Sequence, residues 1–152
     1  MKLLRVVIVT ALAIFLTGLV SSTQGAPQCC IGGKYRATFK DSTAPDPMCQ
    51  TPGEVHGGYF VFHQPQCEPR FRGTLLDAQG NKIFYITGVI APIGEGKCKF
   101  KGTAFGVPGT EFEGENDVTM KAIFYKVGDR WHIKGTFDNP DGCDGTFKGA
   151  KQ

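Results

Sequence analysis

The sequence is poor in the residues from which catalytic and metal sites are built. It has three histidines in 152 residues, and no pair of histidines lies within reach of a cysteine. It contains no C-x-x-C motif, no serine in a nucleophile elbow and no glycine-rich phosphate-binding loop. His56 and His63 are seven residues apart in one predicted strand, which places them on opposite faces. We therefore predict a non-enzymatic protein that needs neither a cofactor nor a metal.

A one-sided charge is also missing. The 17 basic and 14 acidic residues give a formal net charge of +3. Two of the basic residues, Lys2 and Arg5, lie in a segment that we expect to be removed, which would leave about +1. A balance so near neutrality gives no reason to expect nucleic acid as a partner.

The chain has one long uncharged apolar run, over residues 6–20. This run is shorter than the roughly 20 residues that a membrane-spanning helix needs. It follows a short basic start and precedes a small, polar stretch that ends at Gly25. That order is typical of a secretory signal peptide over residues 1–25, with an uncleaved anchor as the alternative. We predict a secreted or periplasmic protein with a single domain, residues 26–152, and no membrane span once the signal is removed.

Helical spacing of apolar residues does not persist beyond about two turns, whereas period-two alternation recurs. The predicted strands are 34–40, 55–63, 70–76, 82–90, 97–105, 118–127, 130–138 and 144–149. Strand 55–63 is almost entirely apolar, so we expect both of its faces to be covered. The fold class is therefore all-β, a small antiparallel barrel or sandwich of about eight strands tied by disulfides. A further strand at 110–113 would reverse the direction of the last strand.

Four of these strands share a short pattern of an apolar residue, a basic residue, glycine and a small residue. The pattern occurs at 71–74, 100–103, 133–136 and 147–150. Strand parity places the apolar residue and the glycine on the inner face, where the glycine makes room for a large side chain. The basic residues then form an outer, solvated face. We expect this face to serve solubility and edge protection, with anion binding as the alternative.

All six cysteines follow the predicted signal peptide, and an even number in an exported chain indicates disulfides. They are Cys29, Cys30, Cys49, Cys67, Cys98 and Cys143. An up-and-down strand order brings Cys49 and Cys143 to one end and the other four to the opposite end. We therefore predict a Cys49–Cys143 bond. Cys29 and Cys30 would pair with Cys67 and Cys98, in an order that strand parity leaves open.

The aromatic residues in the strands either fill the core or line a pocket for a small apolar or amphipathic ligand. For the ligand-binding function, the candidate binding residues are Tyr59, Tyr85 and Trp131. Residues 42–54 suggest an alternative. This long connection contains three prolines and a cysteine, and such anchored loops often carry recognition. The alternative function is a secreted protein-interaction module, an inhibitor or a component of a surface assembly. A third hypothesis is an enzyme that uses Glu54, His56 and Tyr59.

Overall fold

The structure, a computed structural model, describes residues 28–152 and shows eight antiparallel strands in a closed barrel. The strands are β1 (Gly33–Asp41), β2 (Val55–His63), β3 (Arg70–Asp77), β4 (Lys82–Gly94), β5 (Lys97–Gly106), β6 (Val118–Val127), β7 (Arg130–Asp138) and β8 (Gly145–Lys151). Each strand pairs with its neighbours in sequence, and β8 pairs with β1. The predicted all-β fold is confirmed, and it is a barrel. The predicted signal peptide lies outside the described residues.

The strand boundaries agree closely with the alternation in the sequence, apart from β4. That strand continues through Pro92 to Gly94, four residues beyond the predicted end, because its last residues still pair with β5. Residues 110–113 form turns and not a ninth strand, so the last strand keeps its predicted direction. Within residues 28–152, no helix has the length and apolar character needed to cross a membrane.

Aromatic side chains fill the interior of the barrel. Phe62 contacts several of these rings, with its ring centroid 5.6 Å from those of Tyr35 and Phe124 and 5.3 Å from that of Phe71. The inward glycines give these rings their space, as the repeated pattern predicts. A Cβ atom on Gly102 would lie 2.6 Å from the Phe100 ring. The bulk of the aromatic residues therefore packs the core and leaves the barrel axis filled.

The outer face of β2 is not covered by another layer, contrary to the expectation from its apolar sequence. Tyr59 and Val61 point outward and are half-buried, and Val55 is 59% exposed. Their partial burial comes from neighbouring side chains on the wall, such as Lys34, whose Nζ lies 4.2 Å from the centroid of the Tyr59 ring. In a barrel of a single closed sheet, outward residues have no second sheet to pack against.

The lower end, where β1 begins, is closed by the segment that precedes β1. Ile31 is fully buried there, and its carbonyl accepts a 2.7 Å hydrogen bond from the Tyr35 hydroxyl. The side chain of Gln64 accepts a hydrogen bond from the Ile31 amide and donates to the carbonyls of Cys29 and Glu68, each at 2.7 Å. Burial raises the pKa of Tyr35 well above its ordinary value of 10.0. These contacts fix the chain across the end of the barrel.

Three disulfides cross-link the chain, one at the upper end of the barrel and two at the lower end. Cys49–Cys143 joins the loops at the upper end, which confirms the predicted pair. At the lower end the structure resolves the open choice as Cys29–Cys98 and Cys30–Cys67. All six cysteines are paired, and this indicates that the chain folds in an oxidising compartment.

Candidate functional site

The two longest loops, residues 42–54 and 107–117, lie at the upper end of the barrel, where β1 ends. The shorter connection 139–144 and the turn 78–81 lie beside them. The 107–117 loop covers the core there, since the Phe112 ring lies 5.0 Å from that of Phe84. All but three of the 14 acidic residues of the chain are in these loops or at the adjoining strand ends. The upper end is therefore the irregular and acidic end of the molecule.

The loop 42–54 is mostly exposed but is held at several points. At its base the Asp41 amide donates to the Glu54 carbonyl at 2.9 Å, and the Gly53 amide donates to the Ser42 carbonyl at 3.1 Å. The Ser42 amide donates across to the Asp144 carbonyl at 2.7 Å, which ties the loop to the β7–β8 connection. The Cys49–Cys143 bond fixes its middle to the same connection. Only the stretch around residues 43–48 therefore lies between these attachment points.

Within that stretch, a tight turn presents Met48 to solvent. The Met48 amide donates to the Asp46 carboxylate at 2.9 Å, and the Cys49 amide donates to the Asp46 carbonyl at 3.1 Å. The Ala44 amide donates to the Ser42 hydroxyl at 3.1 Å. Met48 itself is 50% exposed. The two hydrogen bonds that Asp46 accepts set the backbone of the turn, so the apolar side chain is displayed in a defined position.

A small polar cluster supports the base of this loop. The buried Asp41 carboxylate accepts a 2.9 Å hydrogen bond from the Thr51 hydroxyl and lies 3.3 Å from His56 Nε2. Glu54 lies 4.0 Å from the same histidine nitrogen. The structure thus brings Glu54 and His56 together, whereas Tyr59 points to the outer wall. Sequence reasoning included Thr51 in the recognition loop but did not predict its contact with Asp41, although the parity of β1 already places Asp41 on the inner face.

The geometry of this cluster favours support over chemistry. The Thr51 hydroxyl donates to Asp41 and not to His56, so the imidazole does not activate it. Donor atoms of Asp41, Cys49 and Cys143 lie within 4.8 Å of one another, as in a metal site. The two sulfur atoms are bonded to each other, however, and a disulfide supplies no thiolate for a metal. The cluster anchors the loop.

A second contact joins the two other acidic loops. Asn139, which is buried, donates a 2.8 Å hydrogen bond from Nδ2 to the carboxylate of Glu115. Burial raises the pKa of the Glu115 carboxyl group, and repulsion from the negative charges of Asp141 and Glu111 raises it further. The hydrogen bond from Asn139 lowers this pKa and so opposes both effects. The acidic segments that are separate in sequence therefore meet at the upper end.

The three aromatic residues predicted to bind a ligand do not line one cavity. Trp131 is buried at the lower end of the core. Tyr59 and Tyr85 both lie on the outer wall, on β2 and β4, with β3 between them. Tyr85 is 46% exposed. The ligand-binding role of these residues stays a prediction, and for Tyr59 and Tyr85 it would concern the outer wall.

Among residues 28–152, two grooves run along the outside of the barrel. One of about 500 Å³ lies near the ends of β1, β7 and β8, and one of about 700 Å³ crosses β1, β5, β6, β7 and β8. Neither is lined by Tyr59, Tyr85 or Trp131.

Compared with known proteins, the chain matches no family model and no curated protein sequence.

Proposed function

We propose that this chain is an exported, non-enzymatic protein-interaction module that binds its partner through the loop 42–54. Export is supported by the predicted signal peptide and by three disulfides, which require an oxidising compartment. The partner is another protein met outside the cytoplasm.

One observation carries the proposal: the loop is exposed along most of its length and yet is cross-braced. A disulfide, the Asp41–Thr51 hydrogen bond and the backbone bonds at its base hold it in one conformation. A flexible loop would lose conformational entropy on binding, whereas a fixed loop has lost it already. A rigid loop that displays an apolar side chain, Met48, suits recognition of a protein groove.

The competing hypothesis of a small apolar ligand has less support. The interior is occupied by aromatic rings, and Tyr35, Phe60, Phe100 and Phe124 are fully buried there. An eight-stranded barrel either fills with side chains or holds one small ligand, and this one is filled. An amphipathic ligand on the outer wall near Tyr59 and Tyr85 stays a prediction. The enzyme hypothesis loses support because Tyr59 points away from His56 and Glu54.

The test is site-specific photocrosslinking in the exported fraction of the producing cells. A photoreactive phenylalanine analogue replaces Met48 in one variant and Val127 in a matched control. Val127 is similarly exposed, at 57%, but lies at the lower end of the barrel. We expect a discrete protein adduct from position 48 and none from position 127. Opening the loop with Cys49→Ser/Cys143→Ser is expected to weaken the adduct several-fold because the loop loses its fixed shape.

The proposal fails if position 48 gives no adduct, or if both positions give the same adducts. Native mass spectrometry of the same fraction provides an independent check. A small molecule that stays bound in the native protein and leaves on denaturation would support the ligand-binding hypothesis instead.

A further inference from the structure

The outer wall of β5, β6, β7, β8 and β1 carries a continuous group of exposed lysines. In the strand register, Lys101 faces Lys121, Lys134 faces Lys148, and the remaining two flank these pairs on β5 and β1. All six side chains are exposed. We call them the lysine field: Lys40, Lys99, Lys101, Lys121, Lys134 and Lys148.

The arrangement of the lysine field is unfavourable for the isolated protein. Side chains directly opposite each other on neighbouring strands are close, and two like charges in such positions destabilise the sheet. The wall contains two such pairs, Lys101 with Lys121 and Lys134 with Lys148. In the part of the chain that the structure describes, both ion pairs within 4.0 Å involve His56, and neither involves a lysine. No carboxylate of the described residues therefore forms a contact ion pair with a lysine of the field.

The two general reasons for such a face do not account for it. The sequence suggested that the basic face protects a strand edge. A closed barrel has no exposed strand edge, so the lysines do not serve this purpose. Solubility is aided by a net charge away from zero, but residues 28–152 carry only one more basic than acidic residue. The acidic residues lie mainly in the upper loops, so the chain separates its charges without gaining net charge.

The lysine field lines a surface groove that an extended molecule could follow. The groove of about 700 Å³ is bordered by five of the six lysines, and hydroxyl groups alternate with them. Those hydroxyls belong to Thr38, Thr136 and Thr146. From β5 to β1 the field crosses four strand spacings, roughly 19 Å. A linear chain with regularly spaced anionic groups matches this combination of charge, length and hydrogen-bonding groups.

The wall is less suited to other anionic macromolecules. Membrane-surface segments insert several large apolar side chains, whereas the groove of the lysine field offers only the half-buried Ile123 and the exposed Val55. Binding of single-stranded nucleic acid relies on free aromatic faces for stacking. Phe100 and Phe147 line the groove but are buried, and the Tyr125 ring beside the field is already stacked on His132 with centroids 5.5 Å apart.

We propose that the lysine field binds a linear anionic polysaccharide whose sugars carry carboxylate or sulfate groups. The lysines provide the electrostatic attraction, and the threonine hydroxyls form hydrogen bonds with the sugar hydroxyls. This surface is distinct from the loop 42–54, so the proposal stands or falls independently of the protein partner proposed above.

The test measures binding of the oxidised protein to polygalacturonate and to dextran sulfate by isothermal titration calorimetry. Neutral dextran, vesicles that contain phosphatidylglycerol and duplex DNA serve as comparison probes. We expect binding to one or both anionic polysaccharides at about 150 mM salt. Affinity should fall as salt rises, because bound counterions are released on association. Neutral dextran should not bind.

Two double variants with the same charge change separate the lysine field from general electrostatics. Lys101→Glu/Lys134→Glu places each new carboxylate opposite a remaining lysine, Lys121 or Lys148, so the fold should be as stable as before or more so. We expect its dissociation constant to rise at least about tenfold. The slope of log affinity against log salt should fall by about 2. Arg70→Glu/Arg72→Glu, on the opposite side of the barrel, should change affinity by less than about twofold.

Three results would overturn the proposal. The first is absence of binding to both anionic polysaccharides. The second is an equal loss of affinity in the two double variants, which would indicate a general charge effect. The third is tighter binding to the vesicles or to the DNA than to either polysaccharide, which would identify a membrane or a nucleic acid as the partner. Thermal unfolding of each variant shows that a loss of binding is not a loss of fold.

Discussion

The two ends of the barrel are closed by different means. At the lower end a short segment passes over the core, with Ile31 buried and two disulfides beside it. At the upper end three loops meet, joined by one disulfide, by the Ser42–Asp144 backbone hydrogen bond and by the Asn139–Glu115 side-chain hydrogen bond. Phe112 seals the core there, but most of the loop surface is exposed and acidic.

The lower end therefore mainly stabilises the fold, whereas the upper end mainly displays exposed groups. The lower end buries apolar side chains and satisfies its backbone groups through Gln64, so it adds to the core. The upper disulfide is half-buried and connects loops, and it mainly restricts their conformations. An end that must be recognised needs exposed groups in fixed positions, and cross-links between loops provide this without a larger core.

Removing a disulfide from each end gives the largest expected contrast. The Cys29–Cys98 and Cys49–Cys143 bonds enclose 69 and 94 residues, so loop entropy alone predicts similar losses, about 4–5 kcal/mol. In Cys49→Ala/Cys143→Ala the upper loops become mobile in the folded state, which offsets part of that cost. We expect a loss of about 4 kcal/mol for Cys29→Ala/Cys98→Ala and about 2 kcal/mol for the upper pair, measured by urea unfolding. Equal losses would show that the upper loops belong to the core.

A single substitution at the lower end gives the next effect. Ile31→Ala removes a fully buried side chain and leaves a cavity, so we expect a loss of about 3 kcal/mol in the free energy of unfolding. Met48→Ala, in the exposed upper loop, is the matched control and should change stability by less than about 0.5 kcal/mol. Urea unfolding of both variants measures the contrast. A loss below about 1 kcal/mol for Ile31→Ala would mean that the lower segment is not part of the cooperative unit.

The smallest effect concerns the pH dependence of the upper end. The folded state holds the Glu115 proton more tightly than the unfolded state, because burial raises its pKa above the ordinary 4.5. Its contribution to stability is therefore complete below that value and is lost as the pH rises through the raised pKa. Glu115→Gln removes this pH-dependent loss of stability and keeps an oxygen that accepts the Asn139 hydrogen bond.

We expect Glu115→Gln and the parent protein to be equally stable near pH 4, and the variant to be slightly more stable near pH 7, by less than about 0.5 kcal/mol. Glu95→Gln, in the exposed turn at the lower end, controls for the loss of one negative charge. Unfolding temperatures measured across this pH range test the sign. A parent protein that gains stability over Glu115→Gln as the pH rises would contradict it.

Local patterns in the sequence were sufficient to predict most of the fold. Alternation located all eight strands, and the parity of an up-and-down chain predicted the Cys49–Cys143 bond. Parity failed to choose between Cys29 and Cys30 because adjacent residues lie at nearly the same height. The apolar character of β2 suggested cover on both faces, but apolar residues also occur on exposed walls, and burial depends on what lies opposite.

The candidate site was predicted only in part. The loop 42–54 was recognisable from its length, prolines and cysteine, whereas the support that Asp41 and Thr51 give it depends on how the chain returns to the end of β1. Similarly, the basic residues were visible as an outer face. Their direct pairing, Lys101 with Lys121 and Lys134 with Lys148, required the strand register.

The sequence by itself determined the strands, the inward and outward faces of each strand and the need for disulfides, because these depend on the period-two geometry of a strand and on cysteine number. The tertiary structure alone decided that the sheet closes, that aromatic rings fill the interior and that lysines from five strands meet on one wall. Those outcomes depend on register and on contacts between residues far apart in sequence, which no local pattern specifies.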